Sequence, residues 1–439
     1  MLLRNQFHDI LPGTSLGEVH ETAEAEQRSV REAATGLRDR ATAALAAADP
    51  GDGAPLNLDG FERRDVLEAP SGGLAIYSCP PFGFGAEVEP ESEVRVERDG
   101  DLVRLDNGVL SAVLDRGGRV LSLRLADGRE TLSGPADLEL YEDRPTAFDA
   151  WELEPYHDQT GTECPPAERV EVPVENPLRV EVAFARRVGE ASELEQRVRL
   201  DAGSRRLEFR CRVNWRERHR ILKASFPLRV RSARATYGAQ FGVHELSTHR
   251  NTDADLAHFE APALGFADLG EHGFGAAVLS PTNHGFGATD DALRLSLLRS
   301  PTDPDPEADQ GEHELVYALF PHRGDWRDAG VDRAATALGS PPPFVAGARP
   351  GEPFARVDSP DVTLDTIKRS EEGEALVLRL HESHGGRGTA RVRLAAGVRQ
   401  ASRTNALEDH GAVVESGPDG IVVEYGPFEI VTLRVELGR

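Results

Sequence analysis

Residues 178–188 read LRVEVAFARRV, and residues 194–215 read LEQRVRLDAGSRRLEFRCRVNW. In both runs apolar and charged residues alternate along much of the sequence, which is the pattern of a β-strand with one buried face. The second run is interrupted by Asp-Ala-Gly-Ser at 201–204, residue types that favour a turn. These two stretches therefore predict β-strands that are joined by short turns.

Further runs with alternating apolar and polar residues, separated by turn residues, occur elsewhere in the sequence. LVRLDNGVLSAVLD at 102–115 has a turn sequence at Asp106-Asn107-Gly108, and RVLSLRLADGRETL at 119–132 has one at Asp127-Gly128. Runs of this kind recur at intervals of about 8 to 15 residues, which is typical of an all-β sandwich made of antiparallel sheets. The fold class is predicted to be mainly β.

One long helix is predicted ahead of the strands, over residues 15–49. Apolar or small side chains recur there at spacings of three and four, and Ser15 with Glu18 forms a capping-box pattern after the turn residues Pro12-Gly13. A single apolar stripe of this length needs partners, and no second helical pattern of similar length follows. Either the helix packs on a sheet, or its partner helices lie outside this chain.

Composition shifts mark the domain boundaries. The stretch ADPGDGAP at 48–55 has the composition of a linker, and the Pro-rich GSPPPFVAGARPGEP at 339–353 indicates a second boundary. The β segment that follows the linker is predicted to pair with the C-terminal domain. The predicted parts are a helical segment at 1–50, a β segment at 51–95, a large β-sandwich at 96–340 and a small β domain at 341–439.

Charge and cysteine content restrict the partners and the compartment. With 75 acidic and 50 basic residues the formal charge is −25, which disfavours nucleic acid and anionic membranes as partners. Three scattered cysteines without CxxC spacing argue against a disulfide scaffold and a cysteine zinc site, and fit a reducing cytoplasm. Neither a signal-peptide core nor a long apolar run is present, so a cytoplasmic location without membrane contact is expected.

The most unusual short motif is NQFHDILPG at 5–13, where His8 and Asp9 are adjacent just before the helix. A neutral imidazole binds divalent metals, and a carboxylate beside it can hold a polar ligand. The alternative is a His-Asp pair that satisfies itself at a helix entry. Because zinc takes about four ligands, one histidine does not make a site.

Two acidic stretches are further candidates. LYEDRPTAFDAWELEPYHD at 140–158 places carboxylates among aromatic rings, as sugar sites do, and paired carboxylates perform glycosidic acid–base chemistry. SPTDPDPEADQGEH at 300–313 could bind calcium or line a cleft. The alternative for both stretches is a solvated acidic loop.

Several motifs together resemble the C-terminal half of glycoside hydrolase family 38, the α-mannosidases. The resemblance extends from Asn5 to about Leu433, and its most specific pieces are NQFHDILPG and LLRSPTDPDPEADQG. It implies a three-helix bundle end followed by a galactose-mutarotase-like supersandwich and a small β domain. DNGVLSAVLD, LYEDRPTAFDAW, ATYGAQFG, THRNT and PFEIVTLR contribute to the same resemblance.

The resemblance also implies a site. His8 matches a zinc ligand of that family, and Asp9 matches the neighbouring carboxylate that accepts hydrogen bonds from mannose hydroxyls. The 140–158 loop is expected to face this site, with Asp149 and Trp151 as predicted substrate-binding residues. The family's nucleophile, its acid/base residue and three of its four zinc ligands belong to an N-terminal barrel without a counterpart here, so zinc binding is expected to be weak or absent.

Two function classes follow from this resemblance. One is the C-terminal part of a retaining α-mannosidase that does not turn over substrate unaided, with a mannoside or glycan as substrate and a homo-oligomer or the missing N-terminal half as protein partner. The other is a non-catalytic β-sandwich module that binds carbohydrate or scaffolds a partner. A decayed chain without activity is a third interpretation. A His-x-Asp motif followed by barrel-like sequence upstream of Met1, in the same reading frame, would favour the first.

Overall fold

The chain is seen in a computed structural model that describes residues 1–46, 53–409 and 411–438. It divides into two compact units. The predicted linker at 48–55 lies largely outside the described residues, and the four-part division stays a prediction. The first unit comprises Met1–Ala41, Pro90–Tyr237 and Glu245–Gly339, and the second comprises Thr42–Glu89, Gly238–His244 and Ser340–Arg439.

The predicted long helix is present as α1, Gly17–Leu45, and follows a short 3₁₀ helix at Arg4–Gln6. The last residues of the predicted helix, 47–49, lie outside the described part. Within α1, Ala23 is buried, whereas Leu37 and Leu45 are 61% and 53% exposed. The described residues therefore do not show the whole apolar stripe packed on a sheet.

The remaining helices are short and join strands. A second 3₁₀ helix, Pro155–Gln159, lies within the acidic stretch at 140–158, and Thr252 caps the next α-helix by accepting a hydrogen bond from the Asp255 backbone. The α-helices after the first are α2 Asp253–Ala257, α3 Trp326–Ala329 and α4 Val331–Gly339.

Strands are the main regular secondary structure of the described residues, as the sequence predicts. Early in the chain they are β1 Ala54–Pro55, β2 Arg63–Glu68, β3 Leu74–Cys79, β4 Ala86–Val88, β5 Arg95–Asp99, β6 Leu102–Asp106, β7 Leu110–Asp115, β8 Val120–Leu125, β9 Asp137–Glu142, β10 Thr162–Glu163 and β11 Arg169–Asn176. They continue as β12 Arg179–Val188, β13 Ser192–Asp201, β14 Leu207–Trp215, β15 Arg220–Pro227, β16 Arg234–Ala239, β17 Gly242–Ser247, β18 Ala261–Pro262, β19 Gly265–Glu271, β20 Phe274–Ser280, β21 Gly285–Thr289, β22 Ala292–Arg299 and β23 Gly311–Arg323. The C-terminal strands are β24 Phe344–Val345, β25 Ala355–Val357, β26 Val362–Arg369, β27 Leu376–Glu382, β28 Gly388–Leu394, β29 Val398–Thr404, β30 Val413–Val414, β31 Ser416–Gly417, β32 Gly420–Tyr425 and β33 Ile430–Leu437.

The first unit is built on two large antiparallel sheets. One has the strand order β11-β12-β13-β14-β23-β20-β19-β16-β17 and the other the order β10-β9-β15-β22-β21-β18, with a four-stranded meander of β5 to β8 beside them. Phe209 and Tyr317 of the first sheet stack with ring centroids 4.9 Å apart, and Phe226 of the second lies 5.8 Å from Phe209. The sheets thus pack face to face around an aromatic core, as a sandwich does.

A predicted turn ties this sandwich together. Asn107 is fully buried, and its side-chain amide donates to the carbonyls of Asp201 and Ser204, at 2.7 and 2.9 Å. Gly108 has the positive φ of 79° that the turn needs. The turns at 106–108 and 201–204, far apart in sequence, therefore stabilise each other.

The second unit has its own core. Its sheets have the orders β2-β3-β4, β1-β24, β25-β28-β32-β31 and β26-β27-β33-β29-β30. Ala54 pairs with Val345, so residues from the 51–95 segment and from the C-terminal domain share a sheet. Its fully buried apolar side chains include Leu378, Val392, Ile421, Leu433 and Val435. Within the described residues of both units, no helix combines the length and the apolar character needed to cross a bilayer.

Candidate functional site

The NQFHD segment forms an exposed turn directly before α1. The buried Asn5 side chain donates to the Ala23 carbonyl at 3.3 Å and anchors the turn to the helix. His8 Nε2 lies 3.3 Å from Asp9 Oδ2, and the two side chains are 70% and 31% exposed. The Phe7 ring lies against the imidazole at 4.2 Å. The imidazole is thus held beside the carboxylate and remains open to a ligand.

Asp9 is connected to the acidic loop through Thr14. Asp9 Oδ1 accepts a hydrogen bond from Thr14 Oγ1 at 3.3 Å, and the Thr14 carbonyl accepts one from Trp151 Nε1 at 3.3 Å. Trp151 is 59% exposed, and Phe148, three residues earlier in the chain, has a φ of 52° and is 71% exposed. The structure therefore brings together two segments that the sequence proposed separately. An open indole near a carboxylate suits a sugar, which has apolar and hydroxyl-bearing faces.

Asp149 is engaged in a different way. Its Oδ2 accepts from the Thr302 backbone N–H at 2.7 Å and from Thr302 Oγ1 at 3.1 Å, while Oδ1 lies 3.5 Å from His219 Nδ1. The next residue, Ala150, donates its N–H to the Asp303 carbonyl at 3.1 Å. These bonds join the 140–158 loop to the 300–313 stretch. Substrate contact by Asp149 stays a prediction, and its hydrogen bonds show what positions the loop.

The 300–313 stretch also reaches the start of α1. A Cβ placed on Gly17 would lie 3.2 Å from Asp305 Oδ1, so only a glycine leaves the present spacing undisturbed. All three candidate stretches thus meet within the first unit, around the N-terminal turn. Among the described residues, however, no group of three or more His, Cys, Asp or Glu side chains is arranged to hold a metal ion. His8 and Asp9 are suitable ligand types, but they supply two ligands and zinc takes about four.

Sequence inspection missed a buried polar cluster below the same loop. Lys223, on β15, is 1% exposed, and its Nζ lies 2.7 Å from His157 Nε2 and donates to Glu260. The ammonium also lies 4.9 Å from the centre of the Tyr141 ring. Lys223 and Lys368 are the two lysines among 50 basic residues. That rarity is the one sequence signal that could have drawn attention to Lys223, because arginine keeps its proton in proteins and lysine can lose it.

The cluster sets the protonation state of His157. Its Nδ1 lies 2.9 Å from the Glu154 carbonyl, which fixes Nδ1 as the donor and leaves Nε2 to accept from Lys223. Burial and the Lys223 charge lower the pKa of His157 below its ordinary value. Burial opposes ionisation of Asp158, but its bond to Arg250 and the charges around it lower its pKa overall.

We expect acid to destabilise the first unit through His157. An unfolded histidine has a pKa of about 6.5, so between that value and the lower folded value the unfolded chain binds more protons. The stabilisation is complete above about pH 6.5 and is lost as the pH falls toward the folded pKa. Urea unfolding of the parent chain and of His157→Gln, from about pH 7 to about pH 5, checks this. The glutamine side chain can accept a hydrogen bond from Lys223 but does not titrate. The unfolding free energy of His157→Gln should therefore fall less steeply with decreasing pH than that of the parent. Equal slopes would contradict the assignment.

Comparison with known proteins places these features in context. Residues 105–307 match the family described as "Glycosyl hydrolases family 38 C-terminal domain", and residues 361–433 match "Glycosyl hydrolases family 38 C-terminal beta sandwich domain". "Alpha-mannosidase 2C1" of Homo sapiens is 36% identical over 469 residues, which cover 100% of this chain and 45% of the relative. "Alpha-mannosidase" of Saccharomyces cerevisiae is 26% identical and covers 98% and 42%. The chain thus spans about half the length of the curated relatives it matches.

The fold has solved counterparts as well. The crystal structure of an alpha-mannosidase from Enterococcus faecalis V583 superposes with a TM-score of 0.79 at 14% identity, covering 99% of this chain and 62% of the other. A second Enterococcus faecalis structure, of a protein in the glycosyl hydrolase family 38, has a TM-score of 0.76 at 14% identity, covering 99% of this chain and 65% of the other. At these identities the likeness shows the fold, which agrees with the predicted mainly-β architecture.

Proposed function

The chain belongs to glycosyl hydrolase family 38, and from this premise we propose that it forms the C-terminal part of a retaining α-mannosidase that hydrolyses terminal α-mannosyl residues. The observation that carries the proposal is the meeting of 5–13, 140–158 and 300–313 around the half-buried carboxylate of Asp9 and the exposed side chain of Trp151. The relatives named α-mannosidases support the choice of mannosides over other sugars.

The arrangement suggests what each exposed group does. Asp9 can accept hydrogen bonds from sugar hydroxyls, because a carboxylate oxygen accepts more than one hydrogen bond. The Thr14 hydroxyl orients the carboxylate through Oδ1, and Oδ2 lies 3.3 Å from His8 Nε2. The Trp151 indole can cover the apolar face of the sugar ring. Asp149 is also part of the proposal, as a substrate contact in addition to its bonds with Thr302. A glycosidase needs a nucleophile and an acid at defined separation, and we propose that polypeptide other than these 439 residues provides them.

Zinc enters the proposal through His8 alone. The described residues do not fit a complete zinc centre. We propose that His8 is one ligand of a centre whose other ligands come from the same additional polypeptide. Because affinity depends on ligand number, the 439-residue chain should hold zinc weakly.

A metal assay checks this expectation. After incubation with excess zinc and extensive dialysis, the chain should retain far less than one equivalent of metal, and His8→Ala should retain the same amount as the parent. Atomic absorption gives the stoichiometry. Stoichiometric zinc in the parent would show that this chain contains further ligands, and its loss in His8→Ala would show that those ligands bind the metal together with His8.

The activity itself is tested by reconstitution. The chain alone should hydrolyse p-nitrophenyl α-mannoside no faster than buffer does, since the proposal places the nucleophile elsewhere. Addition of a catalytic barrel polypeptide from a family member should restore turnover. Turnover by the chain alone that persists in a variant lacking both His8 and Asp9 would contradict the proposed site.

The alternative is a non-catalytic module that binds carbohydrate or scaffolds a partner. The exposed aromatic rings of Phe148 and Trp151, together with the lack of a three-ligand metal group in the described residues, favour it. Mannoside binding without turnover after reconstitution would select this alternative. The proposed protein partners are the barrel polypeptide or further copies of the chain. A cytoplasmic location is proposed as well, supported by three cysteines that are free and buried.

A further inference from the structure

Arg299, the last residue of β22, directs its whole guanidinium at one loop. Nε donates to Asp143 Oδ2 at 2.6 Å and a terminal nitrogen donates to Asp143 Oδ1 at 3.2 Å. The same terminal nitrogen is shared with the carbonyl of Asp149, at 2.8 Å, and the carbonyl of Glu152, and the other terminal nitrogen donates to the Ala150 carbonyl at 2.9 Å. One side chain therefore binds four residues of the 140–158 stretch.

The backbone carbonyls of Asp149, Ala150 and Glu152 are hydrogen-bonded to the Arg299 side chain. The N–H groups of Trp151 and Glu152 both donate to the Phe148 carbonyl, at 2.8 and 2.9 Å, which makes one irregular turn. The carbonyls on the inner side of that turn are bound by Arg299. The planar fork of an arginine can serve a carboxylate and several carbonyls at once, whereas a lysine presents a single ammonium.

The turn that Arg299 holds carries Trp151 on its open side. The Trp151 Nε1 bond to the Thr14 carbonyl then places the indole against Thr14, whose hydroxyl donates to Asp9 Oδ1. We propose that Arg299 is a positioning residue that fixes the Trp151 indole beside the Asp9 turn. Its purpose, the pre-alignment of an aromatic surface for a mannosyl ring, rests on the proposed function; the positioning itself does not.

The burial of the partners determines which variants are informative. The Asp143 side chain is 0% exposed and that of Arg299 is 26% exposed, so removal of arginine alone would leave a buried charge. The double variant Asp143→Asn with Arg299→Gln removes both charges together. Arg299→Lys keeps a cation for Asp143 but lacks the fork. Arg294→Gln is the matched control, because Arg294 lies on the same strand, is 27% exposed and bonds Glu139 instead of the loop.

Acrylamide quenching of tryptophan fluorescence in the full chain measures the position of Trp151 without any ligand. The other two tryptophans, Trp215 and Trp326, are 0% and 3% exposed, so Trp151→Phe defines their background. The double variant and Arg299→Lys should each raise the quenching constant of Trp151 roughly twofold, as an ordered side chain becomes mobile. Arg299→Lys should do so with an unchanged urea midpoint, and Arg294→Gln should leave quenching as in the parent.

Quenching that is unchanged in the double variant would overturn the positioning role, whatever happens to sugar binding. An Arg299→Lys variant with the same quenching constant as the parent would also overturn it, because a positive charge without the arginine's several donors would then be enough to position Trp151. Methyl α-mannoside titration, read by the same fluorescence, is a separate measurement. We expect roughly fivefold weaker binding in the double variant, because the loop must then be ordered on binding. If quenching changes in the variants but neither the parent nor any variant responds to methyl α-mannoside, the positioning role of Arg299 is supported and the proposed sugar site is contradicted.

Discussion

Asp9→Asn is expected to lower kcat/KM for p-nitrophenyl α-mannoside by about 10²–10³-fold in the reconstituted enzyme, and His8→Ala by a similar factor. The amide loses the negative charge that would accept hydrogen bonds from sugar hydroxyls, and the alanine removes one proposed metal ligand. The His8 side chain is 70% exposed, and Asp9→Asn keeps the size of a side chain that is 31% exposed, so neither change should disturb folding. Steady-state kinetics on matched preparations give the ratio.

An exposed histidine outside the site provides the control for this first experiment. His272 lies in the turn between β19 and β20, is exposed, and His272→Ala should leave kcat/KM unchanged. A loss of equal size in His272→Ala would trace the effect to general damage. Full activity of both Asp9→Asn and His8→Ala would show that the N-terminal turn is not part of the sugar site.

Lys223→Ala is expected to lower the free energy of unfolding of the first unit by about 3–5 kcal/mol, the cost of breaking a buried charge pair. The substitution leaves Glu260 without its cation and His157 Nε2 without its donor, both at a place that water reaches poorly. Urea unfolding followed by tryptophan fluorescence reports on this unit, because Trp151, Trp215 and Trp326 all lie in it.

The control for Lys223 is an exposed pair in the same unit. Arg212 and Glu314 are 74% and 75% exposed and 3.1 Å apart on the nine-stranded sheet. Arg212→Ala should change the unfolding free energy by less than about 1 kcal/mol, as exposed ion pairs do. If Lys223→Ala were as mild as Arg212→Ala, the buried cluster would not stabilise the loop, and the pH effect assigned to His157 would lose its basis.

Local patterns predicted the elements well. Strands were expected at 102–115 and 119–132, and β6 to β8 lie there with glycine at both turns, Gly108 and Gly128, in the positive-φ region. The helix predicted from residue 15 begins at Gly17. These features depend on neighbours in sequence, such as side-chain alternation, apolar spacing and turn chemistry, so they can be inferred without the fold.

The site was predicted in pieces. His8, Asp9 and Trp151 were proposed from their chemistry and from family resemblance, but no sequence rule connects Trp151 to Thr14, which lie 137 residues apart. Arg299 and Lys223 were not proposed, because an arginine or a lysine on a strand looks like any surface cation until its burial and partners are known.

The sequence by itself determined the mainly-β fold class, the long helix with its apolar stripe, and the family through short motifs such as NQFHDILPG. Only the tertiary structure decided that the three acidic or histidine-bearing stretches meet, that Asp149 holds a loop through Thr302, and that Lys223 is buried beside His157. The physical reason is range: secondary structure follows from interactions within a few residues, whereas a site depends on which distant backbone and side-chain groups are desolvated together.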